Sequence, residues 1–480
     1  MGNDGEVADI FDGNRAHGGA DNIGVAERQA AGSQGEGERA RTGMLLEHDL
    51  VRKSVSTFRD HARNGRFSMN VDTMRRIDRW AGVPLCALAT LLVRLRDGFR
   101  PRTARPARRV LFVELSEMGT TILAEPAMRK ARRELAAETF FVIFARNVAS
   151  LQLLGTFPPE NIFTISDKSL FALAGDSVRF LRWCREKDID TVVDLELFSR
   201  FTALLSGFSG AERRVGFYRF HNEGLYRGEM LTHRVAYNPH IHIAKNFIAL
   251  VDALTAAAPA VPYSKTLIGD DQIEAAIPPP SVQARVQMLE RIRALTPFDP
   301  ARQRLVLINP NASELLPHRR WMPERYAELI RRILTGYDDA VVMITGAPEE
   351  RAQAEELARA NGSRAVSFAG RSSLADLPAL YAHAVLMVSN DSGPAHFSAA
   401  CGLPTIVLFG PETPKLYQPL GASRAIYAGL ACSPCVTAHN HRKTACTDNV
   451  CMQAIAVDEV YAAVAEVLAQ PVRAAATSAP

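Results

Sequence analysis

An α/β chain of two doubly wound domains facing each other across a cleft is the fold class that the sequence predicts. Three observations carry it. Apolar runs of strand length alternate with helix-patterned segments from residue 109; the alternation loosens between about 255 and 303; it restarts at 304 with units of similar size. Strands that are apolar along their whole length belong to parallel sheets buried on both faces. Ligands bind beyond the carboxyl ends of such strands, and domain interfaces favour small-molecule sites. A cleft enzyme is therefore expected.

In the first unit RVLFVEL, TFFVIF, ENIFTIS, IDTVVDLE and RRVGFY read as strands. ILAEPAMRKARREL, SLFALAGDSVRFLRWCREK and RFTALLSGFSGA have helical periodicity. The linker holds one helical stretch, SVQARVQMLERIRAL, between the breaks IPPP and PFDP. The second unit alternates RLVLINP, AVVMITG, AVSFAG, VLMVSND and TIVLFG with PERYAELIRRIL, PEERAQAEELARA, SLADLPALYAHA and PAHFSAACG. The expected organisation is a disordered tail over 1–43, a helical and basic extension over 44–108, a first domain over 109–270, a linker over 271–303, a second domain over 304–465 and a tail over 466–480.

Composition narrows the function. A net charge of +4 over 480 residues is too small for a protein that coats nucleic acid, so no nucleic-acid partner is expected. The first 43 residues are rich in Gly, Ala, Asp and Glu and cannot bury enough apolar surface to offset their ordering entropy. No secretory signal is expected from these first residues. The apolar stretch 81–93, with Pro84 suited to a first helical turn, is shorter than the ~20 residues that cross a bilayer. Arg94, Arg96, Arg100, Arg102, Arg105, Arg108 and Arg109 follow it. Such a helix either lies on an anionic membrane surface or packs on a domain ahead of a basic linker.

The most informative stretch is VSNDSGPAHFSAACGLPTIVLFGP, 388–411, where a strand meets a helix. The first N–H groups of a helix lack internal partners and the helix dipole there favours anions. Gly393 allows close approach to the backbone, Pro394 suits the first turn, and Ser392 adds a hydroxyl. The result is a seat for a pyrophosphate. The alternative is a plain capped helix with Asp391 as N-cap.

The run NDSGPAHFSAACGLPTIVLFGPETPKLYQPLG resembles the signature of glycosyltransferase family 9, the ADP-heptose:lipopolysaccharide heptosyltransferases. The resemblance runs from about 109 to 465 through RVLFVELSEMGTTILAEPAMRKA, GAERRVGFY, NPNASELLPHRRWMPERYAELI and CMQAIAVDEV. It implies the GT-B architecture, two Rossmann-like domains with the nucleotide-sugar held mainly by the second. It further implies an inverting transfer without an obligatory metal or other cofactor, from a nucleotide-sugar, ADP-heptose foremost, to a lipopolysaccharide-core or related glycolipid or polysaccharide acceptor. The implied place is the cytoplasmic side of the inner membrane. A different nucleotide-sugar donor, a nucleotide-sugar 2-epimerase and a non-catalytic nucleotide-sugar-binding protein are the alternatives.

Such a transfer needs a base for the acceptor hydroxyl and partners for the growing diphosphate charge. Asp391, Ser392, Gly393 and His396 are the expected donor-site residues beside Arg319 and Arg320, where the resemblance places a lysine matched best by Arg319. Glu349 or Glu350 is expected at the nucleoside. The family's first turn reads Gly-Asp, and that aspartate is its expected base; here Thr120 stands in its position. Glu117 in the same turn is the expected base and Glu196 the second candidate.

Cys432, Cys435, Cys446 and Cys451 are spaced C-x₂-C-x₁₀-C-x₄-C. Four thiolates could close a structural zinc site or hold an iron–sulfur cluster, with His439 and His441 as alternative ligands. The spacing matches no common zinc module, and local disulfides or free thiols are the other readings. Residues 216–247, rich in Arg, His, Tyr and Asn, suit a sugar or an anionic glycolipid; His240 and His242 are two apart, as on one face of a strand, where a metal is conceivable and hydrogen-bonding or structural roles are preferred.

Overall fold

A computed structural model of the chain describes residues 78, 80–99, 106–115, 118–197, 199–220, 225–256, 265–312, 316–438, 440 and 442–470. The tail expected over 1–43 lies outside them, as do Arg100, Arg102, Arg105, Glu117, His439 and His441.

The first sheet comprises β1 (Arg109–Val113), β2 (Glu138–Phe144), β3 (Ile162–Ile165), β4 (Thr191–Asp194), β5 (Arg213–Tyr218) and β6 (His233–Ala236) in the order β3-β2-β1-β4-β5-β6. The second comprises β7 (Arg304–Asn309), β8 (Ala340–Ile344), β9 (Ala365–Ser367), β10 (Ala384–Asn390), β11 (Thr405–Phe409) and β12 (Ser423–Tyr427) in the order β12-β11-β10-β7-β8-β9. Every pairing is parallel. The order reverses beside β1 and β4 in one sheet and beside β7 and β10 in the other. Those switch points are where crevices open at the carboxyl ends.

The helices, in chain order, are α1 (Gly82–Gly98), α2 (Met118–Glu134), α3 (Val148–Leu154), α4 (Leu170–Glu186), α5 (Arg200–Phe208), α6 (Ile243–Thr255), α7 (Val282–Arg293), α8 (Pro323–Gly336), α9 (Arg351–Arg359), α10 (Leu377–Tyr381), α11 (Gly393–Ala400), α12 (Pro414–Tyr417), α13 (Val450–Gln453) and α14 (Val457–Leu468). In β1, Val110 and Phe112 enter one apolar cluster and Leu111 and Val113 another, all without exposed surface. Both faces are covered, which is why the strand is apolar throughout. The first of these clusters continues through α2 and α11 to Leu305, Leu307 and Met343 beneath the second sheet, so the two sheets share apolar core.

The edge strands β6 and β12 escape a reading based on continuous apolar runs. Only alternate residues of β6 are buried, and only Ile426 in β12. A strand at the rim of a sheet needs no unbroken apolar run. The placement of His240 and His242 on a strand is corrected: His240 lies in a turn and His242 is the N-cap of α6. His242 Nδ1 accepts from Ala244 N at 3.2 Å and Nε2 meets Gln418 O at 2.8 Å, so both ring nitrogens are engaged by backbone.

One buried ion pair lies beneath the cleft. Asp194, at the end of β4, has no exposed surface and pairs with Arg227, whose Nη2 also donates to Thr202 Oγ1 at 3.0 Å. Burial pushes the Asp194 carboxyl up to about 6 against the pull of Arg227. Removing one partner strands the other charge, at a cost of about 3–5 kcal/mol. Arg227→Ala is expected to lower unfolding free energy by that order. Urea denaturation checks it, and a loss under about 1 kcal/mol would make the pair incidental.

Candidate functional site

Asn390, the last residue of β10, is fully buried. Its Oδ1 accepts from Trp321 N at 3.1 Å and from the Tyr326 hydroxyl at 2.9 Å, and its Nδ2 donates to Pro310 O at 2.7 Å. One amide thereby ties the end of β10 to the loop after β7 and to the HRRW turn. Trp321 is buried there, and its indole N–H donates to Ile455 O at 3.1 Å. This anchoring aims Arg319 inward.

Arg319 meets two carboxylates. Its Nε lies 3.4 Å from Asp391 Oδ2 and its Nη2 lies 2.9 Å from Glu412 Oε2. Asp391 and Glu412 are 3% and 2% exposed. Burial drives the Glu412 carboxyl up to about 7 although Arg319 pulls it down, and burial raises Asp391 as well. The same carboxylates push the guanidinium above its ordinary value against the effect of its own burial. Arg442 Nε stands 3.6 Å from Glu412 Oε1, with its guanidinium 5.4 Å from the centre of the Tyr417 ring. Burial lowers Arg442 to about 10, opposed by the charge of Glu114 at the end of β1 in the other sheet.

Asp391 is thus not the N-cap. Ser392 is, and its hydroxyl lies 3.2 Å from that of Ser389 and makes no cap bond. Gly393 opens α11, with Pro394 in its first turn. His396 is 6% exposed, and burial, with His242 and Arg319 adding, lowers its imidazole to about 3. It is a neutral ring at physiological pH and serves as a hydrogen-bonding group rather than as a cation. A Cβ built on Gly119, in the first turn of α2, would stand 3.0 Å from His396 Cδ2, so the absent side chain lets the glycine turn close on α11. Thr120 follows in the same turn, half-buried.

Four buried atoms here have no hydrogen-bond partner among the described residues: Arg319 Nε, Asp391 Oδ2, Glu412 Oε1 and His396 Nδ1. Three of them are held by ion pairs alone, Arg319 Nε with Asp391 Oδ2 at 3.4 Å and Glu412 Oε1 with Arg442 at 3.6 Å; buried polar atoms are ordinarily hydrogen-bonded, so the cluster keeps bonding capacity that a polar ligand could use.

The other expected residues are dispersed. Arg320 donates to Ala312 O at 2.8 Å and is directed to the loop after β7. Glu349 is exposed, and Glu350 Oε2 accepts from Ala347 N at 2.7 Å, closing its own helical turn. Glu196 Oε1 accepts from Leu115 N at 2.9 Å, which ties the end of β4 to the end of β1. Glu412, Arg442 and Asn390 were missed as site residues. The only sequence signal was for Asn390 and Glu412, which sit at carboxyl ends of strands inside the NDSG and GPET motifs.

The metal expectation at the cysteines is not met. All four are free thiols, and no group of three or more His, Cys, Asp or Glu among the described residues is arranged to hold a metal ion. Protein partners engage the sulfurs instead: Thr444 Oγ1 donates to Cys435 Sγ at 3.3 Å and Asn449 N to Cys446 Sγ at 3.4 Å. The loop that bears them carries Arg442 to the cleft.

Two six-stranded parallel sheets with a polar cluster between their carboxyl ends define a GT-B protein, the class in which two Rossmann-like domains face each other. The chain belongs to glycosyltransferase family 9: the model of that family, described as "Glycosyltransferase family 9 (heptosyltransferase)", matches residues 178–445. Among curated proteins it is similar to lipooligosaccharide heptosyltransferase 2 of Haemophilus influenzae, 32% identical over 119 residues, 24% of this chain and 34% of the relative. It is also similar to lipopolysaccharide heptosyltransferase 2 of Salmonella typhimurium, 30% identical over 150 residues, 30% of this chain and 42% of the relative. The chain thus spans between a third and a half of the length of these two relatives. The fold matches the solved structure of the Escherichia coli ADP-heptose lps heptosyltransferase II with a TM-score of 0.58 at 18% identity, over 75% of this chain and 99% of that one.

Proposed function

We propose that this chain is an inverting glycosyltransferase that moves heptose from ADP-heptose to a lipopolysaccharide-core or related cell-surface glycan. It acts without a catalytic metal, on the cytoplasmic side of the inner membrane. The observation that carries the reading is the buried polar cluster of Arg319, Asp391, Glu412 and His396 at the start of α11, paired internally but short of hydrogen bonds at four atoms and facing the glycine turn of the first domain. The names of the relatives supply the sugar and the acceptor class.

In this mechanism the acceptor oxygen attacks the anomeric carbon as the bond from that carbon to the diphosphate oxygen breaks. The bonding pair leaves with the nucleoside diphosphate, and the acceptor proton passes to a carboxylate. Arg319, the Ser392 hydroxyl and the N–H groups opening α11 receive the growing charge. Glu117 is the base in this reading. Glu196 already spends one oxygen on Leu115 and serves better as the brace between the two loops.

The carboxylates around Arg319 make donor binding sensitive to pH. An incoming diphosphate is repelled by ionised Glu412, whose carboxyl sits at about 7 through burial. The protonated form favours the anion, so donor affinity is expected to fall as pH rises above 7 and to stay level below it. Glu412→Gln should flatten that dependence. Calorimetric titration in buffers of different ionisation enthalpy reads the proton uptake; binding independent of pH from 6 to 8.5 would remove Glu412 from the donor site.

A screen of the purified protein against ADP-, GDP-, UDP- and dTDP-sugars, with heptose-deficient lipopolysaccharide as acceptor, tests the function. Selective turnover of ADP-heptose is the expected result. Turnover of another donor alone, isomerisation without acceptor, or binding without turnover would overturn it.

A further inference from the structure

We propose that the outer face of α1, with the adjoining start of α4, is a docking surface for an anionic lipid bilayer. This gives a seat to the membrane-side placement in the preceding reading, on which it rests only for purpose.

The helix is inside out for a soluble protein. Its buried stripe is small: Cys86, Ala89, Thr90 and Val93, packed on α5. Its large side chains face outward, with Leu85, Leu88, Leu91, Leu92 and Leu95 all between 48% and 58% exposed. At ~100° per residue these five leucines fall within an arc of about 120°. A surface helix normally turns such an arc to the core. Trp80 and Phe99 flank the helix at 80% and 88% exposed, and aromatic rings at such ends suit a membrane–water boundary.

The face is held in this orientation. Asp78 before the helix pairs with Arg200, and Asp97 near its end pairs with the buried Arg214. Arg96 Nη1 donates to Gly207 O at 3.1 Å. The leucines therefore cannot roll inward without breaking bonds at both ends.

The apolar surface continues past α1. A groove of about 260 Å³ runs between Leu85, Leu88 and Leu92 of α1, Leu181 of α4, and Phe201 and Phe208 of α5. On α4, Phe171 is 92% and Val178 62% exposed. α4 starts at the carboxyl end of the first sheet, and Gly82, near the start of α1, packs on Arg200, which opens α5 at that same end. The surface thus reaches the cleft side of the first domain, where the acceptor is expected.

Charge selects the occupant. Arg94 and Arg179 border the leucine arc and the α4 surface at 62% and 69% side-chain exposure; each has a carboxylate beside it, Glu229 at 3.9 Å and Asp176 at 3.4 Å, in a loose pair that leaves most of the guanidinium open to solvent. The sequence adds Arg100, Arg102 and Arg105 within seven residues of the helix end, outside the described residues. An apolar face edged with arginine fits an anionic interface, whereas a second copy of the same face would bring like charges together. At 17 residues α1 is too short to span, and no helix among the described residues is long and apolar enough to cross a membrane.

Flotation of the full chain with phosphatidylglycerol-containing and pure phosphatidylcholine vesicles is the test. The wild type should float with the anionic vesicles and remain mostly free with the neutral ones. Leu88→Glu with Leu92→Glu should reduce bound protein at least tenfold, with thermal midpoint and nucleotide-sugar binding unchanged. Arg94→Glu, which leaves the apolar face intact, should weaken anionic binding several-fold. Failure of the wild type to float, or flotation unaffected by both sets of variants, would overturn the proposal. So would a leucine-dependent dimer in solution that ignores vesicles, which would assign the face to a second copy. Because donor binding is read separately, loss of the transferase reading leaves this result intact.

Discussion

Replacing Arg319 by alanine is expected to weaken nucleotide-sugar binding at least tenfold and to lower stability by about 3–5 kcal/mol, the cost of stranding buried charge. Arg319 contacts both Asp391 and Glu412, at 3.4 and 2.9 Å. Without it two buried carboxylates face each other, with Arg442 at 3.6 Å from one of them. Since burial already holds Glu412 at about 7, that group can shed its charge by taking a proton, which places the stability loss toward the lower figure. The double variant Arg319→Ala with Glu412→Gln should therefore recover part of the stability and none of the affinity. Arg319→Lys should keep more stability than alanine while still binding the donor more weakly, because an ammonium cannot offer two parallel bonds. Urea denaturation and calorimetry read the two quantities apart. Unchanged affinity in Arg319→Ala would remove the arginine from the donor site.

Glu117→Gln is expected to lower turnover by about 10²–10⁴ while leaving donor affinity within a few-fold, the signature of a lost general base. Glu196→Gln should behave differently. Its carboxylate binds the Leu115 N–H at 2.9 Å, so the amide variant should cost about 1 kcal/mol of stability and little turnover if affinity is unchanged. Single-turnover rates with saturating donor separate chemistry from binding. Full activity of Glu117→Gln, with loss in Glu196→Gln at intact stability, would exchange their roles. Thr120→Asp adds a further check: it returns a carboxylate to the position where the family's turn has one, and it should partly rescue Glu117→Gln.

Much of the fold was legible because its signals are local. Continuous apolar strands and intervening helices mark a parallel sheet wherever both faces are covered, and β1, β4, β8, β10 and β11 are such strands. The short rim strands β6 and β12 were not, since an edge requires apolar residues on fewer positions. Asp391 and Arg319 could be named from motif and strand end. Their pairing with each other and with Glu412 could not, because it joins loops 72 and 93 residues apart from Arg319 in the chain. The spacing of the cysteines left a metal site, local disulfides and free thiols open; the thiols are free, with Thr444 at Cys435 and Asn449 at Cys446, on a loop that also delivers Arg442.

The sequence by itself determined the two-sheet architecture, the family signature and the strand-to-helix turn at Ser392 and Gly393, all of which follow from residue type and short-range spacing. Only the tertiary structure decided that Asn390 pins three loops together, that Arg319 lies between two buried carboxylates, that His396 is neutral against Gly119, and that α1 shows its leucines to the outside. These depend on burial and on contacts between distant segments, and the energy of a charge or an apolar side chain is set by what surrounds it in space.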